Sequence, residues 1–203
     1  AWRIQGSKMF VPIDGRVKVE DLLRGVIVQS GNDACIVLAE GIAGTEERFA
    51  EMMTERGKQL GLKSSTFRNA SGWPDPQHLT TARDLAILAQ QIIARHPQYY
   101  HFYSQKEFTY GIDGATKKPI TQGNRNPLLY KDGGADGLKT GHTEAAGYGL
   151  TASAKRGDRR LIMVFNGLKS MNERSREAER LLELGFSQFA NYKPFTAGAV
   201  VDE

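Results

Sequence analysis

Leu138-Lys139-Thr140-Gly141-His142-Thr143 leads into Ala146-Gly147-Tyr148 and on through Gly149-Leu150-Thr151-Ala152-Ser153-Ala154, and the fold is read from this stretch. Residues 148–154 have strand composition, as do 159–167, and Gly157-Asp158 between them has the form of a two-residue hairpin turn. The simplest arrangement is an antiparallel sheet, with 138–143 feeding the strand at Tyr148. Gly141 leaves the edge of that segment bare. An extended peptide can lie along such an edge as an added strand, recognised by its backbone hydrogen bonds.

Further out, a strand is expected over 106–110, and the remaining regular structure reads as helices. Residues 16–29 begin with a short alternating patch and pass into an apolar helix that stops before Ser30. Asn32-Asp33 then look like a cap for a helix over 34–41, because their short polar side chains can accept the first free amides. Thr45-Glu46-Glu47 opens a helix with Phe49, Met52, Met53 and Leu60 on its apolar face, and Gly61 ends it. Residues 64–77 are turn-rich. Two capping boxes follow, Thr81 to Asp84 for a helix to about Arg95, and Ser170 to Glu173 for a helix carrying Leu181, Leu182 and Leu184 with Gly185 as its stop. The predicted class is α+β, an antiparallel sheet flanked by helices. Residues 1–190 form one domain, and 191–203 are a linker or the start of a β-rich module.

Bulk properties exclude several functions. A mean hydropathy of −0.44 leaves no apolar stretch long enough to span a bilayer. The net charge of +4 favours anionic partners. Lys and Arg are nevertheless dispersed among 23 acids without interleaved aromatics, so no nucleic-acid partner is expected. No Cys/His cluster has metal-ligand spacing, and neither metal nor cofactor is expected. The single Cys35 lies in an apolar helical stretch and reads as a small buried hydrophobe. The first residues lack the pattern of a secretory signal and there is no initiating Met, so the chain is expected to begin within a longer protein.

The chemistry lies in two separated pieces. Ser30-Gly31-Asn32 occupies the loop between two predicted helices, and Lys139-Thr140-Gly141 lies 109 residues later. A lysine there lowers neighbouring pKa values and attracts a carboxylate, and Thr140 adds a hydroxyl to hold it. The amide of His142, just past Gly141, suits an oxyanion donor. The His142 side chain itself reads as an ordinary surface histidine. Ser30 can relay a proton between lysine amines and a leaving nitrogen, and the Asn32 amide can hold a substrate carbonyl. Arg174 offers a planar fork for a terminal carboxylate, although by itself it reads as a solvated helix charge. Each motif alone is common; their order and their flanking elements are informative together.

At these residues the chain resembles the low-molecular-mass penicillin-binding proteins that act as serine-type D-alanyl-D-alanine carboxypeptidases. The likeness runs from Leu22-Leu23-Arg24-Gly25 through Gln29-Ser30-Gly31-Asn32-Asp33-Ala34-Cys35 to Asn124-Arg125-Asn126. It continues with Asp136 to Thr143, Ala146-Gly147-Tyr148, Arg174-Glu177-Ala178-Glu179, Leu181-Leu182 and Gly185-Phe186. The resemblance implies a transpeptidase-like fold shared with β-lactamases, a helical part beside a five-stranded antiparallel sheet. It implies catalytic roles for Ser30, Asn32 and Lys139, and substrate binding by Thr140, Gly141, His142 and Arg174. Peptidoglycan stem peptides would be the substrate and β-lactams covalent inhibitors. The location would be periplasmic or extracytoplasmic, with membrane attachment only through other segments.

One departure is plain: no serine in the chain has a lysine three residues on, so the S-x-x-K nucleophile motif of this group is missing. An N-terminal portion bearing it is expected upstream, and the chain alone is expected to be inactive. Two alternatives stand beside the carboxypeptidase. A class A β-lactamase needs a glutamate-activated water, yet no glutamate between the motifs has an asparagine four residues on, and Gly31 stands where that class has Asp. The other is a binding module with a dead site.

Overall fold

The computed structural model describes residues 3–192, 194, 195 and 198. Most of the predicted 191–203 module therefore lies outside the described residues. Three helices open the chain, α1 (Val19–Ile27), α2 (Asn32–Ala43) and α3 (Glu46–Gln59), followed by α4 (Ala82–Arg95) and the short α5 (Pro97–Tyr100). A hairpin of β1 (Glu107–Ile112) and β2 (Pro119–Gly123) precedes β3 (Ala135–Thr143), β4 (Gly147–Arg156), β5 (Arg159–Leu168) and the closing helix α6 (Met171–Gln188).

The strands form two antiparallel units, the hairpin and a three-stranded sheet ordered β3-β4-β5. The sheet thus has three strands among the described residues where the resemblance implied five. Alternation along β4 explains its packing: Leu150, Ala152 and Ala154 point to one face and are buried against Ala178 and Leu182 of α6 and Leu128. Leu150 and Leu182 each contribute roughly 1.5–3 kcal/mol by leaving water. α4 packs against β5. Arg159 of β5 donates to the carbonyls of Gly185 (2.7 Å) and Phe186 (3.1 Å), satisfying acceptors that the end of α6 leaves free.

The helical part is organised around Met9, fully buried with Leu22 and Ala34. Gly25 of α1 makes this possible, because a Cβ there would come within 2.2 Å of the Met9 sulfur. Asp33 fastens the same segment, its carboxylate accepting from the amides of Met9 (2.8 Å) and Val11 (3.0 Å). That corrects the expected Asn32-Asp33 cap. Gly31 is the N-cap residue and has no side chain to offer, Asn32 is already helical, and Asp33 serves the neighbouring strand-like segment.

Other boundaries are also corrected. β2 was not anticipated. α6 runs through Gly185 rather than stopping there, because a side chain at 185 would press on Leu161 at 2.9 Å; that glycine permits close packing of helix on strand. The two capping boxes are half formed. Thr81 accepts from the Asp84 amide at 3.1 Å, but the Asp84 carboxylate turns to Ser64 and Ser65. Ser170 accepts from the Glu173 amide at 3.1 Å, and Glu173 reaches back to Lys169.

Candidate active site

α1 and α2 are separated by a tight turn at Ser30, which adopts φ +55°, a left-handed conformation unusual for a residue with a Cβ. The turn is pinned by Gly31 N–H to Gly25 O (2.9 Å) and by Asn32 N–H to Ser7 O (2.9 Å). Just before it, the buried Gln29 donates to Phe108 O at 3.0 Å and ties the end of α1 to β1. The strained serine is therefore held from three sides.

Across a cleft lies β3, at the edge of the sheet because among the described residues it pairs only with β4, Lys139 opposite Thr151 and Gly141 opposite Gly149. Lys139 Nζ donates to Ser30 Oγ, closing the 109-residue separation, and to Thr140 O at 2.9 Å. Burial pulls the Lys139 ammonium down to about 8, with the cationic neighbours Arg125 and Arg174 acting in the same direction. Asn32 Nδ2 donates to Gln5 O at 2.8 Å. None of the described residues comes within 4 Å of where a Gly141 Cβ would be, so the strand edge is open there.

All seven residues expected at the site, Ser30, Asn32, Lys139, Thr140, Gly141, His142 and Arg174, line one cleft of 850 Å³. The His142 ring is exposed and stacks on Tyr148 with centroids 3.9 Å apart. Arg174 is no solvated helix charge: it is 5% exposed, its guanidinium sits 5.7 Å from the Tyr148 ring, and Nη2 donates to Arg125 O at 3.3 Å. Its buried Nε has no hydrogen-bond partner among the described residues, and burial lowers its pKa. Such a guanidinium is primed for an anion. Cys35 corrects its expectation too: it is partly exposed and lines the cleft, with its thiol pushed up to about 11 by burial.

Arg125 is the residue the sequence reading left without a role. It is exposed in the cleft between two buried asparagines. Asn126 donates to Gly137 O (3.0 Å) and accepts from Leu128 N–H (3.1 Å), while Asn124 donates to Gln105 O (3.0 Å) and accepts from Asn126 N–H (3.0 Å). Two short amides hydrogen-bonded to backbone on either side of an arginine are the signal that could have found it. Among the described residues no His/Cys/Asp/Glu group could hold a metal ion.

The cleft has counterparts. The family of D-alanyl-D-alanine carboxypeptidases, peptidase S11, matches residues 1–170. D-alanyl-D-alanine carboxypeptidase DacD of Escherichia coli K12 is 44% identical over 199 residues, covering 98% of this chain and 50% of that protein. The crystal structure of DacD from Francisella tularensis superposes with a TM-score of 0.90 at 33% identity, covering 98% of this chain and 59% of that one. Penicillin-binding protein D2 of Listeria monocytogenes in its ampicillin-bound form gives 0.79 at 30% identity, covering 91% and 74%. The chain spans about half the length of the curated relatives it matches.

Proposed function

The chain belongs to the D-alanyl-D-alanine carboxypeptidase family S11, and from that premise we propose that the protein containing it removes the terminal D-alanine of peptidoglycan stem peptides through a serine acyl-enzyme. The observation that carries this reading is the hydrogen bond from Lys139 Nζ to Ser30 Oγ beside an open strand edge. Serine, lysine and a bare edge are what an amide-cleaving serine requires around it.

The nucleophile is supplied from outside these 203 residues, by a serine three positions before a lysine. Its Oγ attacks the carbonyl carbon of the penultimate D-alanine, giving up its proton to that lysine, and the carbonyl oxygen becomes an oxyanion to which the His142 amide donates. Collapse breaks the C–N bond. Ser30, hydrogen-bonded to Lys139, passes the proton to the departing nitrogen, and D-alanine leaves. Water then cleaves the ester, releasing the shortened peptide and restoring the serine. Asn32 holds the substrate amide, Thr140 and Arg174 hold the terminal carboxylate, and the peptide backbone lies along Gly141. The chemistry needs no cofactor.

β-Lactams present a reactive amide and a carboxylate to the same groups, and are expected to acylate the same serine. The ampicillin-bound Listeria relative supports this. The substrate places the reaction outside the cytoplasm. Among the described residues no helix is long and apolar enough to cross a membrane.

The test is labelling of the complete protein with a fluorescent penicillin. A covalent adduct that persists through denaturing electrophoresis and is lost on replacing the S-x-x-K serine supports the proposal. A folded complete protein that takes up no label defeats it.

A further inference from the structure

Residues 5–11 lie outside the helices and strands, yet their polar groups alternate as they would along a strand. Toward the start of α2 they present Gln5 O, Ser7 O, Met9 N–H and Val11 N–H. Toward β2 they present Lys8 O, which accepts from Gln122 Nε2 at 2.9 Å. The four groups facing α2 are answered by two adjacent residues. Asn32 donates twice, from its backbone to Ser7 O (2.9 Å) and from Nδ2 to Gln5 O (2.8 Å), and Asp33 accepts twice, Oδ1 from Met9 (2.8 Å) and Oδ2 from Val11 (3.0 Å).

The acyl-transfer scheme uses Asn32 and has no task for Asp33. Asp33 is buried, and its Oδ1 also takes the Ala34 amide at 3.0 Å. Only a carboxylate accepts through both of its terminal atoms, and three amide donors offset the cost of removing it from water. The partner of Asn32 is equally selective. Gln5 O can only accept, so Nδ2 must face it and the Asn32 amide cannot turn over. That bond takes one of the two Nδ2 hydrogens. The other hydrogen, and Oδ1, therefore keep fixed directions at the cleft that Asn32 lines.

We propose that Asp33 is a positioning residue for acyl transfer: by holding residues 5–11 against α2 it keeps Gln5 O over the Asn32 amide, and so keeps a donor aimed at the substrate carbonyl. This inference rests on the carboxypeptidase reading. It extends the working parts of the site behind the cleft, since none of Asp33, Met9 and Val11 lines it.

The experiment is a double-mutant cycle on the complete protein, with the rate constant of fluorescent-penicillin acylation and the thermal midpoint measured for each variant. Asp33→Asn keeps an acceptor for Met9 and Ala34 but sets an Nδ2 donor against the Val11 amide. With Asn32 native it should slow acylation about tenfold, the effect of misplacing one hydrogen bond to the substrate. Added to Asn32→Ala it should slow acylation by less than about twofold further, because the group it positions is gone. An Asp33 that serves the fold alone gives the same factor in both backgrounds, and that result, or native acylation in Asp33→Asn, would overturn the inference.

Gly6→Ala reaches the same linkage from its other end and leaves Asp33 unaltered, so it decides the matter if Asp33→Asn does not fold. A Cβ there would lie 2.8 Å from Asn32 Nδ2. Acylation should again fall about tenfold with Asn32 native and by less than about twofold with Asn32→Ala. A folded Gly6→Ala variant acylated at the native rate, or slowed equally in both backgrounds, would also overturn the inference. Absence of acylation in the native protein would instead sink the carboxypeptidase reading beneath it.

Discussion

At the scale of single residues, Ser30 combines a strained backbone with a hydroxyl bonded to Lys139. Replacements separate these two properties. Ser30→Gly relieves the left-handed strain and should be more stable than Ser30→Ala by about 1 kcal/mol, read as a higher thermal midpoint. Both should slow penicillin acylation about 100-fold or more, since neither can relay a proton. Equal midpoints would show that the conformation is not strained in solution.

Arg125 governs a second property. A neighbouring cation disfavours the charged form of an amine, so it lowers the Lys139 pKa, and its removal must raise it. Burial, the larger cause, remains. In Arg125→Gln the limb of the acylation profile that lies near pH 8 should therefore move alkaline, towards but not reaching the ordinary lysine value of 10.5. A stopped-flow pH series measures this, and an unmoved limb would remove Arg125 from the electrostatics. The motifs at 30–32 and 139–141 were legible in the sequence as candidates because their residue types suit the proposed chemistry, and the fold brings them to one cleft. Arg125 was not, because its place depends on Asn126 reaching Gly137 across the fold.

Among elements, β3 is the edge along which the proposed peptide would lie. Gly141 has open space on the side where a Cβ would project, so Gly141→Val should change stability by no more than about 0.5 kcal/mol. The same valine obstructs an incoming strand, and kcat/KM for a D-alanyl-D-alanine peptide should fall about tenfold or more. Thermal melting and steady-state kinetics on one preparation distinguish the two effects. A variant with native kinetics would mean that the peptide does not use this edge. Most helices were readable from caps and apolar spacing, and β4 and β5 from composition and the Gly157-Asp158 turn. β2 was missed because Pro119 to Gly123 is short and half-exposed, and becomes a strand only by pairing with β1. Gly185 was misread because a helix-stopping residue and a residue that lets a strand come close look alike in one dimension.

In the molecule as a whole, the helical part and the sheet meet at the cleft, and they are tied from behind as well. Arg160 of β5 binds Asp136 of β3 through both nitrogens, at 2.8 and 2.7 Å, and also donates to Ser153 of β4 at 2.7 Å. Tyr100 adds its hydroxyl to Asp136 at 3.0 Å. This network spans three strands and anchors the segment that delivers Lys139. The α+β class was readable from the sequence, whereas this cross-strand bracing needed a register that only the folded sheet supplies.

The sheet has a second margin. β5 pairs with β4 alone among the described residues, so its outer row of amides and carbonyls is a template for any foreign strand. A concentrated solution of the 203-residue polypeptide should consequently self-associate, seen as mass growing with concentration in light scattering. A proline introduced at Ile162 should suppress that growth, since it removes a donor from this margin, at some expense in stability. The stickiness of the isolated polypeptide would then be the signature of a sheet that accepts additional strands.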